Sequence, residues 1–190
     1  MQYLKSTFFC RPLLLLACLY TGFSANADAQ NCQVQLSQRT LDYGNMTRTA
    51  IVDQPGIADR ISLGTRDLTL NVLCQHPTAM TLIVRGATGQ DGFKFGDKGQ
   101  FTMRLSDALL DGQPISLGLS QTRRQLATEP GSTIAVVPGA EVIPLAAGQA
   151  AKGKNLSLQV HIDPEVTDAA TRVRGHSTWE GNAIFTVVER

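Results

Sequence analysis

The sequence predicts an all-β protein, an antiparallel β-sandwich of immunoglobulin-like architecture. Three observations support this prediction. Short stretches of alternating apolar and polar residues recur along the chain, a period that is typical of strands with one buried face. Clusters of Gly, Pro, Asp and Asn separate these stretches, and few apolar residues repeat at helical spacing. We therefore expect about seven or eight strands joined by turns.

The first residues predict a secretory signal peptide, which is removed before folding. Lys5 and Arg11 give a positively charged start, the apolar run "PLLLLACLYTGF" follows, and "SANADA" supplies small residues for cleavage. This apolar run is short for a membrane span. Cleavage after residue 27 leaves one domain of residues 28–190, and a second frame cleaves after residue 29. An alternative is a lipoprotein signal, in which "LLAC" leaves a lipid on Cys18.

The mature chain then holds two cysteines, Cys32 and Cys74. An exported chain with two cysteines most simply forms one disulfide. No metal site is expected, because His76, His161 and His176 show no ligand spacing with each other or with the cysteines. The chain also lacks a phosphate-binding loop, so we expect no cofactor.

The alternating stretches give the expected strands in chain order. Asp111-Gly112 lies between two of them and predicts a tight hairpin, because glycine accepts the positive φ of such turns. We expect Pro164 to end the strand in which it lies. The stretches are "CQVQLS", "LTLNVLC", "MTLIVRG", "FTMRLSDALL", "PISLGLS", "NLSLQVHIDP" and, at the end, "NAIFTVVER".

Two segments depart from this rhythm. Gly86 to Gln100 is rich in glycine and polar residues, which predicts a long exposed loop with Phe93 and Phe95 as its anchors. This loop is also the best candidate for contact with a receptor, because functional contacts concentrate on exposed loops. The segment around Ile134 combines an apolar strand with loose Ala and Gly sequence.

No catalytic pattern is present, and we expect the protein not to be an enzyme. The chain lacks G-x-S-x-G and H-E-x-x-H. We expect the side chains of Ser106 and Asp107 to bond nearby backbone. His161 alternates with core residues and is expected to face solvent, and Trp179 is expected to be a core or edge aromatic.

The net charge of +1 comes from acidic and basic residues mixed along the chain. A protein that binds nucleic acid usually carries a strongly basic face. The composition therefore predicts no nucleic-acid partner.

These features together resemble a known family. An exported β-sandwich of this size, with one cysteine beside the mature N-terminus and another at the end of an alternating strand, resembles the pilin subunits of the bacterial chaperone–usher pathway. The motifs "CQVQLS", "LDYG", "LTLNVLCQHPTAM" and "LQVHIDP" resemble a branch of β-fimbrial proteins that carry a domain of unknown function. The resemblance covers essentially the whole mature chain.

The resemblance implies an incomplete sandwich that lacks its last strand. In such pilins a periplasmic chaperone, and later the N-terminal extension of another pilin subunit, adds a strand beside the C-terminal strand, and an outer-membrane usher assembles the fimbrium at the cell surface. By this resemblance, Ala183, Phe185 and Val187 form the edge that accepts the donor. The carboxylate of Arg190 would meet basic residues of the chaperone. A host or surface receptor would be the target of adhesion.

Two departures from the family pattern matter. Glu189 stands where pilins commonly carry a penultimate tyrosine. Only residues 28–31 or 30–31 precede Cys32 in the mature chain, whereas a donor strand needs roughly ten residues. The subunit is therefore expected to accept a strand but not to donate one, which favours the pilus tip. The alternatives are a self-complete secreted sandwich that binds a ligand as a monomer, and thirdly a hydrolase.

Overall fold

The computed structural model describes residues 31–53, 56–57, 59–122, 125–126 and 130–190. The expected signal peptide, both cleavage frames and Cys18 lie outside these residues. The elements are β1 (Cys32–Leu36), α1 (Arg48–Val52), β2 (Gly56–Ile57), β3 (Arg60–Ser62), β4 (Arg66–Gly86), β5 (Phe93–Phe95), β6 (Gly99–Leu110), β7 (Gln113–Pro114), β8 (Ser116–Thr122), β9 (Gln125–Leu126), β10 (Thr133–Val136), β11 (Ala140–Ala146), β12 (Gln149–Ala150), β13 (Lys152–Thr167), α2 (Asp168–Thr171) and β14 (Ala183–Glu189).

The strands form an antiparallel β-sandwich, as the sequence predicts. The first sheet contains β10, β6, β13, the first half of β4 and β1, with β2, β3, β5 and β7 as short additions. The second sheet contains β9, β8, β11, the second half of β4 and β14, with β12 beside β11. β4 belongs to both sheets and joins them.

The length of β4 contradicts the sequence interpretation, which expected "LTLNVLC" and "MTLIVRG" to be separate strands. β4 continues through Pro77 as one strand of 21 residues. Its register against β13 jumps from Leu73 to Thr78, so the proline lies in an irregular segment where its missing N–H breaks no ladder bond with β13. Such irregularities let one strand pass from one sheet to the other.

Pro164 does not end its strand either, because β13 continues to Thr167. Its carbonyl accepts a hydrogen bond from the N–H of Leu63 at 2.8 Å. An N–H at this position would point to the same edge of β13, where it would face Leu63, the residue directly after β3. The strand therefore loses little by containing a proline here.

The core lies between the two sheets. Leu70 and Val72 from the first half of β4 and Leu82 and Val84 from its second half are almost completely buried in one cluster. The predicted alternation is thus confirmed on both sides of the irregular segment. A smaller cluster forms around Ile51, Leu63 and Val166, and Trp179 packs against it as a half-buried aromatic.

The predicted hairpin at Asp111-Gly112 is confirmed. Both residues have positive φ, 50° and 81°, and β6 pairs with β7 on either side of them. The segment from Gly86 to Gln100 is not a loop throughout, because β5 within it pairs with the start of β6. Phe93 anchors the segment as predicted: it is fully buried and stacks on Phe101 with ring centroids 4.9 Å apart.

Candidate functional site: the terminal strand and its outer edge

β14 lies antiparallel to the second half of β4, with Ala183 opposite Gly86 and Glu189 opposite Met80. Because side chains alternate along a strand, Ala183, Phe185 and Val187 face the core cluster. Val187 is 5% exposed, whereas Ile184 on the other face is 58% exposed. The apolar alternation that the sequence shows in "NAIFTVVER" is therefore one core-facing row and one outward-facing row.

The peptide groups of β14 alternate in the same way. The N–H of Arg190 donates to the carbonyl of Ala79 at 2.8 Å, so every second residue from Arg190 back to Ile184 pairs with β4. The N–H and C=O groups of Phe185 and Val187 consequently point to the opposite edge. Within the described parts of the chain, no strand pairs with β14 along that edge.

β1 continues the same edge beyond the end of β14. β13 occupies the other edge of β4 as far as Ala79, opposite Lys152, so β1 and β14 both lie on the free side. β1 begins opposite Cys74, where Cys32 pairs with it, and β14 ends at the position of Met80. The two strands therefore follow one another head to tail, and we call their combined unpaired side the outer edge.

The disulfide predicted between Cys32 and Cys74 is present, with an S–S distance of 2.02 Å. It joins directly opposed residues of β1 and β4. The bond therefore holds β1 against the sheet at the end that adjoins β14.

Glu189 connects the two strands of the outer edge, a role that sequence reasoning missed. One carboxylate oxygen accepts the N–H of Cys32 and the other accepts Asn31 Nδ2, both at 3.2 Å. The sequence pattern offers no signal for this contact, because the two residues are 157 positions apart. Asn31 also donates to Thr78 Oγ1 at 2.8 Å.

Arg190 differs from the other three predicted edge residues. Its guanidinium lies 3.2 Å from the carboxylate of Glu141 on β11, so the ion pair spans β4 on the outer face of the second sheet. Thr81 of β4 lies on this same face. Thr81 is 1% exposed, and its hydroxyl has no hydrogen-bond partner among the described residues. The structure thus places Ala183, Phe185 and Val187 in one row and Arg190 on the opposite face.

A second polar cluster lies on the outer face of the first sheet. Asp67, His161 and Ser106 come from the neighbouring strands β4, β13 and β6. His161 Nδ1 lies 2.6 Å from Asp67 Oδ1, and its Nε2 lies 2.7 Å from Ser106 Oγ. The expectation that Ser106 and Asp107 bond nearby backbone is wrong, because Ser106 Oγ bonds the carboxylate of Asp107 at 2.7 Å. His161 faces away from the core, as predicted, but its side chain is only 26% exposed.

Two shallow clefts also occur. One, of about 400 Å³, lies beside the predicted contact loop and is lined by loop residues together with Arg60 and Glu165. Arg60 is hydrogen-bonded to Asp91 and lies 3.7 Å from Glu165, so its charge is already balanced by carboxylates. The other cleft, of about 320 Å³, is lined by residues of β6 and β10 and includes the exposed Val137.

No three His, Cys, Asp or Glu side chains of the described residues cluster closely enough to hold a metal ion. The same part of the chain contains no helix with the length and apolar character needed to span a membrane. No family model matches the chain, and no curated protein matches it.

Proposed function

We propose that the protein is a structural and adhesive fimbrial subunit that accepts a β-strand from a partner along its outer edge. The observation that carries the proposal is the row of outward peptide groups at Phe185 and Val187, which no described strand pairs. Donors and acceptors at this spacing are matched by another extended chain, as in β-strand addition. The resemblance of the sequence to chaperone–usher pilins supports the same function.

The side chains at this edge also favour strand addition. Phe185 and Ala183 face the core but remain half-buried. A strand added beside them would cover this apolar surface, and each Å² removed from water is worth about 25 cal/mol. An exposed edge of this kind is an aggregation hazard. A periplasmic chaperone would protect it until another pilin subunit replaces the chaperone.

In this proposal the partners are a periplasmic pilus chaperone, an usher and other pilin subunits, with a host or surface receptor as the target of adhesion. The protein would pass through the periplasm to the cell-surface fimbrium and would sit at its tip.

The test is co-purification from periplasm of residues 28–190 with and without a pilus chaperone. A one-to-one complex is expected, and it should be lost when residues 184–190 are deleted. A soluble, cooperatively folding monomer that does not bind the chaperone would contradict the proposal. That result would support a self-complete binding module instead.

A matched pair of variants separates the edge from the strand itself. Val187→Pro removes an N–H that points outward, and proline is tolerated on edge strands in this orientation. Val187→Ala keeps that N–H but, like Val187→Pro, loses the packing of the valine side chain. The proposal expects chaperone binding to be lost in Val187→Pro and retained in Val187→Ala, with both variants folded by circular dichroism. Equal binding by the two variants would refute pairing at this edge.

A further inference from the structure

Four polar side chains form one hydrogen-bonded chain across three strands of the first sheet: Asp67, His161, Ser106 and Asp107. The three contacts measure 2.6, 2.7 and 2.7 Å. Ser106 is 7% exposed. The order Ser, His, Asp is that of a hydrolase triad. The positions of the protons decide whether these side chains can act as one.

The donors can be assigned one contact at a time. An ionised carboxylate only accepts hydrogen bonds. The hydroxyl proton of Ser106 therefore goes to Asp107, and Nδ1 of His161 carries a proton for Asp67. Because the single proton of Ser106 is already used, Nε2 of His161 must donate to Ser106 Oγ. All three hydrogen bonds are present only when the imidazole of His161 carries both of its protons.

This assignment does not fit a nucleophilic serine. In a triad the base needs an unprotonated Nε2 that accepts the serine proton. Here the second carboxylate, Asp107, takes that proton, and the ring has no lone pair to offer. The arrangement is therefore suited to holding strands together rather than to acyl transfer.

These four hydrogen-bonded side chains include two from an irregular part of β6. Asp107 and Ala108 lie opposite the single residue Leu158 of β13, since the register moves from Ser106–Gln159 to Leu109–Ser157. This is a β-bulge, and Asp107 has a φ of 51°. A non-glycine residue in this region is strained and persists only where its surroundings hold it. The hydrogen bond from Ser106 supplies part of that support.

We propose that the doubly protonated ring of His161 is a clamp that ties β4 to β13 and to the bulge of β6. In the strand register His161 lies opposite Asp67 on β4 and Arg104 on β6, and Asp107 bonds Ser106 beside it. The clamp needs both ring protons, one for Asp67 and one for Ser106.

Nitrogen NMR of histidine-labelled residues 28–190 tests the proposal. His76 and His176 are exposed and serve as internal controls, and His161→Gln assigns the third signal. In the unaltered protein we expect proton-bearing shifts for both ring nitrogens of His161, as its two hydrogen bonds require, and a Nε2 proton in slow exchange, lost in Ser106→Ala. An unprotonated Nε2 at His161 would overturn the proposal.

Two further measurements extend the test, and the second uses the unaltered protein. Amide exchange at residues 107–110 should be at least tenfold faster in His161→Gln than in the unaltered protein, and unchanged exchange would contradict the clamp. An organophosphonate probe should leave Ser106 unmodified. Covalent labelling of Ser106 would mean that Nε2 acts as a base, and would overturn the assignment.

Discussion

Glu189 accepts the backbone N–H of Cys32 at 3.2 Å and so ties the end of β14 to the start of β1. Cys32 is itself bound to Cys74 by the disulfide. The last strand is therefore attached to a point that is covalently fixed to β4. Any strand that pairs along the whole outer edge has to pass this carboxylate.

Replacing Glu189 with Ala should weaken the junction of β14 and β1. The variant leaves the N–H of Cys32 without its acceptor, and we expect the free energy of unfolding to fall by about 1 kcal/mol. Glu189→Gln keeps one acceptor oxygen and should lose less. Urea unfolding of residues 28–190 measures both, and an Ala variant as stable as the parent would show that the contact contributes nothing.

The two rows of β14 should respond differently to truncation. Val187 is 5% exposed and Val188 is 41% exposed. Val187→Ala removes buried methyl groups and should cost about 2 kcal/mol, whereas Val188→Ala should cost less than about 0.5 kcal/mol. The difference between the two midpoints in urea is the measurement. Equal losses would mean that β14 does not pack on the core through the row predicted from the sequence.

Local sequence signals predicted most of the fold because their causes are local. The positive φ at Asp111 and Gly112 follows from turn chemistry, and the burial of Leu82 and Val84 follows from alternation. The path of β4 through Pro77 could not be predicted in this way. A proline is read as a strand break unless one knows which edge its missing N–H faces.

The candidate site was predicted only in part, for the same reason. Alternation placed Phe185 and Val187 on one face. The contact between Glu189 and Cys32, like that between Ser106 and His161, joins residues that are distant in sequence. Such contacts depend on strand register, which the turns and bulges of the folded chain determine.

Thr81→Val should stabilise the protein. The hydroxyl of Thr81 is buried and has no hydrogen-bond partner in the described part of the chain, and a buried polar group in this state carries an uncompensated desolvation penalty. Valine has nearly the same shape, so we expect a gain of about 1 kcal/mol in the free energy of unfolding. Thr81→Ser is the control: it keeps the hydroxyl and should give no gain. A loss of stability in the Val variant would show that the hydroxyl has a partner.

Ionisation of Tyr43 should lower the stability of the protein at alkaline pH. Burial raises the pKa of Tyr43 from 10.0 to about 12, although Arg66 nearby lowers it. The ring lies under the Arg66 guanidinium, and the hydroxyl donates to the carbonyl of Ile162 at 3.3 Å. The folded state thus keeps its proton to higher pH than the unfolded state does. Stability from this group is fully present below pH 10 and is lost as the pH rises towards 12.

Tyr43 is the only tyrosine in residues 28–190, so the tyrosinate absorbance of that chain reports on this group alone. We expect its midpoint to lie well above that of the urea-denatured chain. Tyr43→Phe should remove the part of the alkaline stability loss that this group causes, which unfolding midpoints across the same pH range would show. A folded midpoint equal to the denatured one would mean that the Tyr43 hydroxyl is open to solvent, and that the segment following β1 does not pack against β13 as described.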